Sequence, residues 1–199
     1  MISFDFPSSV QFGDLNKFSR EVMDIPTTSS LLFKTGHLKT FTPTSMVYLA
    51  KTCRLRARRN PKQQVKFAGL HKHDYANNLG FSEALKLVDN PYPKGAYGGQ
   101  TYLPLSTMRI EDLRYVAQKE GCELGDAIQI ECDKVAKVVS QKKSEILEKM
   151  LANSFREIFR NVFEHSGAPV AGYCVQYWPT RDVVEVCISD RGIGFARAC

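Results

Sequence analysis

Between Glu157 and Gly194 the chain places chemically capable residue types at spacings that would bring them onto shared faces. In the run from Glu157 to His165, the acids Glu157 and Glu164, the amide Asn161 and the imidazole of His165 fall within about two helical turns, and residues three and four apart share one side of a helix. A glutamate followed four residues later by an asparagine is common by chance, and its ordinary reading is a pair of solvated helix residues. The sequence that follows gives the pair more weight. Asp190-Arg191-Gly192-Ile193-Gly194 puts an acid at the end of an apolar run with glycines two and four positions on, which permits a tight turn and close approach of backbone to a ligand.

The elements that must position these groups are legible around them. Residues 144–166 read as one long helix with a core face of Leu147, Leu151, Phe155, Ile158 and Val162, a face expected to pack on a sheet. Val170–Trp178 and Asp182–Asp190 read as two antiparallel strands joined at Pro179-Thr180-Arg181, so that helix, hairpin and glycine loop follow one another as a unit. Upstream, Leu124, Ile128, Val135, Val138 and Val139 mark an amphipathic helix from about Glu123 to Gln141. Before it, Ser106 or Thr107 offers an N-cap, Glu111 and Asp112 a favourable first turn, and Gly121 a stop.

This unit resembles the GHKL (Bergerat-fold, histidine kinase-like) ATPases. The pattern E-x-x-x-N-x-x-E-H from Glu157 looks like their N-box, and D-x-G-x-G from Asp190 like their first glycine box; the likeness is closest to the anti-sigma-factor serine kinases and covers about residues 123–195. The resemblance implies ATP and Mg²⁺ as cofactors, with Asn161 as the Mg²⁺ ligand and Asp190 accepting a hydrogen bond from the adenine amino group. It also implies Gly192 and Gly194 passing under the base, and Glu157 as the catalytic carboxylate acting on the attacking water or hydroxyl. His165 would stand near the phosphates or cap the helix. The family's second glycine-rich segment and mobile lid would follow residue 199, so this chain is expected to be part of a longer ATPase and inactive alone; a naturally shortened relative that keeps the scaffold for protein binding is the competing reading.

The N-terminal part alternates differently. Ser30–Lys34 reads as a strand, His37–Phe41 as a weaker one, Pro43 as the start of a helix with Met46, Ala50 and Cys53 on its apolar face, Val65–Leu70 as another strand, and Asn77–Val88 as a turn leading into a short helix. Strand, helix, strand, helix resembles a STAS domain, the α/β module of anti-sigma-factor antagonists. That module's Asp-Ser-Ser-Gly-type turn is here Phe41-Thr42-Pro43-Thr44-Ser45, which leaves Thr44 and Ser45 where a phosphoacceptor would stand but without the acid. A packing or partner-docking role is the expectation. Asn90–Gly99, with two prolines and three glycines, reads as the heart of a linker. The expected organisation is therefore α/β throughout: two small α/β sandwich domains, STAS-like over 1–89 and GHKL-like over 106–199, with a linker over 90–105.

Composition agrees with a folded chain: 199 residues, 43% apolar, and no long apolar run. The N-terminus has neither a basic region nor an apolar core, so no signal peptide or membrane association is expected and the cytoplasm is the expected address. Six cysteines without a C-x-x-C pair suit neither a zinc ribbon nor a disulfide-stapled fold, and are expected as thiols, mostly buried. The net charge of +6 is concentrated: Lys51–Lys72 holds eight Lys and Arg and no acid. Such a run can meet phosphates or an acidic protein, but sparse aromatics and the lack of a recognition motif make nucleic acid the weaker reading and a solvated surface the stronger. The expected partner is a protein, and a homodimer is compatible. The function expected is that of a regulatory ATP-binding switch, or a kinase or ATPase when complete; the alternative is a non-enzymatic interaction module.

Overall fold

A computed structural model describes residues 1–85 and 99–190. The protein is mixed α/β and divides into two compact units, Met1–Tyr97 and Gly98–Cys199, one built on a parallel three-stranded sheet and the other on an antiparallel one. No helix among the described residues is long and apolar enough to cross a membrane.

In the first unit β1 (Ile2–Asp5), β2 (Leu31–Lys34) and β3 (Val65–Ala68) lie side by side in that order, all parallel, linked by the crossover helices α1 (Phe12–Asp24) and α2 (Pro43–Arg59). Parallel neighbours require such crossovers. The helices α1 and α2 pack on each other through the Tyr48–Asn16 and Thr52–Ser19 hydrogen bonds at 3.3 and 3.1 Å. Phenylalanines fill the core: Phe33 stacks on Phe67 at 5.4 Å, and Phe6 meets Phe18 edge-on at the same distance. A short 3₁₀ turn (Leu70–Lys72), α3 (Asp74–Asn78) and α4 (Phe81–Leu85) complete the described part of the unit.

The helix expected from Pro43 is α2. Its start is fixed by a reciprocal cap in which the Thr42 side chain accepts from the Ser45 backbone N–H while the Ser45 hydroxyl accepts from that of Thr42. Ser45 is fully buried, and its hydroxyl also donates to the Thr42 carbonyl, so this hydroxyl is spent on the cap rather than presented as a phosphoacceptor. The expected strand at His37–Phe41 does not form. There the Leu38 N–H turns back to the Thr35 carbonyl at 3.1 Å, and Leu38 and Phe41 are buried from irregular backbone. Gly69, at φ +90°, marks the end of β3. A side chain there would meet the Thr35 hydroxyl at 2.9 Å, and it is this same Thr35 that His73 Nε2 contacts at 3.1 and 3.2 Å.

The basic run is less of a free surface than its count implies. Arg56 is buried against the α1–β2 connection, where its guanidinium donates to the carbonyls of Pro26 and Ser29 at 2.8 and 3.1 Å, and Arg59 donates to the Met23 carbonyl at 2.7 Å.

The second unit holds β4 (Tyr102–Arg109), β5 (Val170–Trp178) and β6 (Val183–Ser189), antiparallel in that order. Its helices are α5 (Ile110–Glu120), α6 (Leu124–Ser140) and α7 (Glu145–Arg160), the last continued by a π-helical turn over Asn161–His165. One sheet face, carrying Met108, Ala171, Tyr173 and Val175, packs into the core with α6 and α7. The expected hairpin is β5–β6, and α6 lies within the expected bounds. Residues 102–105, expected in the linker, belong to β4, and Ser106 and Thr107 lie in that strand rather than capping a helix, which starts instead at Ile110. The register slips between Leu103 and Ser106, around Pro104, on a strand at the sheet's edge, where a missing N–H is tolerated. The rest of the expected linker, 90–98, lies outside the described residues.

Candidate functional site

The helix expected over 144–166 is present, and the Ser144 hydroxyl caps it by accepting from the Leu147 N–H at 3.4 Å. Its face is only in part the one expected: Phe155 and Val162 are buried and Leu151 packs partly against the core. Ala152, Phe155, Phe159, Val162 and Phe163 are buried, whereas Leu147 and Ile158 are 40% and 42% exposed. The phase differs by one residue at two places, Ala152 for Leu151 and Phe159 for Ile158. The small Ala152 and the flat ring of Phe159, which meets Tyr173 edge-on at 5.7 Å, are what the packed side accepts. Leu147, Ile158, Ile146 and Met150 are left as an exposed apolar row.

Beyond Arg160 the winding changes. The Ser166 N–H bonds to the Asn161 carbonyl five residues back at 2.9 Å, and the Ser166 hydroxyl donates to the Val162 carbonyl at 2.6 Å. Turns of this kind are rare and frequently occur at functional sites. The widened turn explains how Val162 and Phe163 are both buried while Asn161, Glu164 and His165 stay exposed.

Glu157, Asn161, Glu164 and His165 thus all stand on the exposed side near the helix's C-terminal end. Arg160 lies between the two acids: its guanidinium holds Glu164 through two contacts of 3.1 and 3.0 Å and reaches Glu157 at 3.4 Å. The hydrogen bond from Arg160, outweighing partial desolvation, lowers the Glu164 pKa, and the same contact raises that of Arg160. Arg160 was missed as a member of this cluster, although its three- and four-residue offsets from Glu157 and Glu164 carry the signal.

Asp190 directly follows β6 and is partly buried. Two connections bring it toward the end of the helix. The last β5–β6 pair is Gly172 with Ser189, so Asp190 emerges beside the first residues of β5. Only four residues, 166–169, separate the π turn from β5, a reach of at most about 18 Å from His165 to Val170 even if fully extended. The connection is in fact folded back, with the Ala168 N–H on the Val162 carbonyl. The end carrying Asn161 and His165 and the end carrying Asp190 therefore lie at one end of this unit. Gly192 and Gly194 lie outside the described residues.

An exposed carboxamide on a widened helix end and an aspartate at a strand's end fit a hard cation and a polar ligand. Mg²⁺ keeps several waters and is usually held by one or two carboxylates alongside phosphate oxygens, and the Asn161 carboxamide would add a neutral oxygen to such a set. Among the described residues no group of three or more His, Cys, Asp or Glu side chains forms a metal cage. Comparison with known proteins gives no match: no family model, no curated protein and no solved structure is similar to this chain.

Proposed function

We propose that the Gly98–Cys199 unit is the nucleotide-binding part of a GHKL-type regulatory ATPase or serine kinase, taking Mg²⁺–ATP beside Glu157, Asn161 and Asp190. The observation that carries this reading is that the π-helical end of α7 and the Asp190 end of β6 lie at one end of the unit. Asn161 offers a carboxamide oxygen to the cation, and Asp190 a carboxylate to an amino group on the base. Glu157 is the base or orienting group for a nucleophile, with Arg160 holding the carboxylates in place. When bound, the nucleotide supplies the transferable phosphoryl group; the chain's part is to bind it and to orient what attacks it. In this proposal the first unit is a STAS-like partner module.

Thermal melting with and without Mg²⁺–ATP tests it, because a ligand that binds only the native state raises the melting temperature. The expected result is a magnesium-dependent rise that Asn161→Ala and Asp190→Ala abolish, on this chain or on the product of the whole reading frame. No rise in either protein would end the proposal. A second reading, a non-enzymatic interaction module, is favoured by the exposed row of Ile146 and Met150 on α7, 73% and 64% exposed.

A further inference from the structure

Two of the cysteines are neighbours in space, though thirteen positions separate them in sequence. Cys174 on β5 and Cys187 on β6 are direct partners in the antiparallel register, so both side chains project from the same face of the sheet. The backbone around them fixes the kind of pair. Tyr177 donates its N–H to Thr101 and Pro169 accepts from Ile110, so the odd-numbered residues of β5 turn their peptide groups toward β4 and its neighbours. Cys174 turns its own toward β6, which makes Cys174–Cys187 a hydrogen-bonded pair with Cα atoms near 5.5 Å. That is within the usual span of a disulfide, while the Cβ atoms must draw together by about 1–2 Å, from about 5.5 Å toward about 3.8 Å.

From this register we propose that Cys174 and Cys187 form a reversible disulfide, making the β5–β6 hairpin a thiol-oxidation site. The two thiols differ in access. Cys174 is fully buried, with its Sγ 3.6 Å from the Leu103 carbonyl, and burial pushes its pKa up to about 12. Cys187 is partly exposed and is the entry point for an oxidant. With a peroxide, the Cys187 thiolate attacks one oxygen, the O–O bond breaks, and a sulfenic acid forms as water leaves. Cys174 sulfur then attacks the sulfenic sulfur; the S–S bond forms, the S–O bond breaks and a second water departs. Two thiols and one hydrogen peroxide thereby give one disulfide and two waters. Because the Cβ atoms must be drawn in, the bridge is strained and easily reduced, as labile disulfides are. This inference does not depend on nucleotide binding.

The test is oxidation of the full chain with graded hydrogen peroxide, followed by alkylation of the remaining thiols and peptide mass mapping, with dithiothreitol reversal. The expected result is joint loss of alkylation at Cys174 and Cys187 and a cross-linked peptide pair lighter by two hydrogens, restored by the reductant. Cys187→Ser must abolish the cross-link. Because Cys174 is buried, Cys174→Ala is used beside it and must leave Cys187 stopping at sulfenic or higher acids. Independent alkylation of the two cysteines in the oxidised wild type, or pairing of either with another cysteine instead, overturns the proposal.

Discussion

Substituting neighbours on α7 separates the observed phase of that helix from the one its sequence suggests. Phe159 is fully buried and packs edge-on against Tyr173, so Phe159→Ala removes a ring and leaves a cavity at a cost of about 3–5 kcal/mol. Ile158 is already 42% exposed, and full burial of such a side chain is worth about 1.5–3 kcal/mol, so Ile158→Ala should cost roughly 1–2 kcal/mol at most. Urea unfolding followed by tryptophan fluorescence reads the difference cleanly, because the single tryptophan, Trp178, lies on β5 of the same unit. With a urea slope of about 2 kcal/mol/M, Phe159→Ala should lower the midpoint by about 2 M and Ile158→Ala by about 1 M at most. Since a whole domain is stable by only about 5–15 kcal/mol, the first loss is a large share of the total. Equal shifts, or a larger one for Ile158→Ala, would refute the packing described for α7 and with it the outward placement of Glu157 and Asn161.

Other outcomes follow from local chemistry. Thr42→Ala should cost about 1 kcal/mol by stripping the cap from α2, seen as a lower melting temperature of the first unit. Arg56→Ala, which orphans the Pro26 and Ser29 carbonyls, should cost roughly 1.5–3 kcal/mol or more, while an exposed cation such as Lys62→Ala should change the melting temperature little. The Asp182 carboxylate accepts from Lys143 Nζ and Tyr177 Oη, each at 2.9 Å, and these hydrogen bonds lower its pKa. A lowered carboxylate pKa adds stability above the unfolded-state value, about 3.9, and that addition fades as pH falls through the lower folded value. The stability gap between wild type and Asp182→Asn should accordingly be present at neutral pH and close in acid; a gap that widens on acidification contradicts the assignment.

The hairpin, α2 and α6 were readable because each carries a strong local pattern: two β-rich runs around a turn, a proline start, and apolar residues at helical spacing. β1 and β4 were not. β1 is four residues long and three of them are exposed, so it is too short and too open for any period to show. β4 contains Pro104 and the Ser106-Thr107 pair, which locally argue for a break and a helix cap, and only the edge position and the register slip reconcile them with a strand. On α7 leucine and isoleucine stand beside the buried Ala152 and Phe159, so hydrophobicity alone does not choose between adjacent positions, although it does pick out Phe155 and Val162. Of the candidate site, the order of Glu157, Asn161 and Asp190 was legible. The π turn was not, since it depends on how the helix meets the sheet and leaves no mark in composition.

That turn makes chain length the guarded quantity in this region. A loop closed five residues apart holds one amino acid more than the regular winding it interrupts, so the stretch from Arg160 to Gly167 carries a surplus residue. Excising one would let the ordinary spiral run on and swing all that follows through about 100°. The hairpin would then meet a different side of the rod. Most single replacements here should be absorbed, whereas a one-residue deletion would re-aim the whole end of the unit.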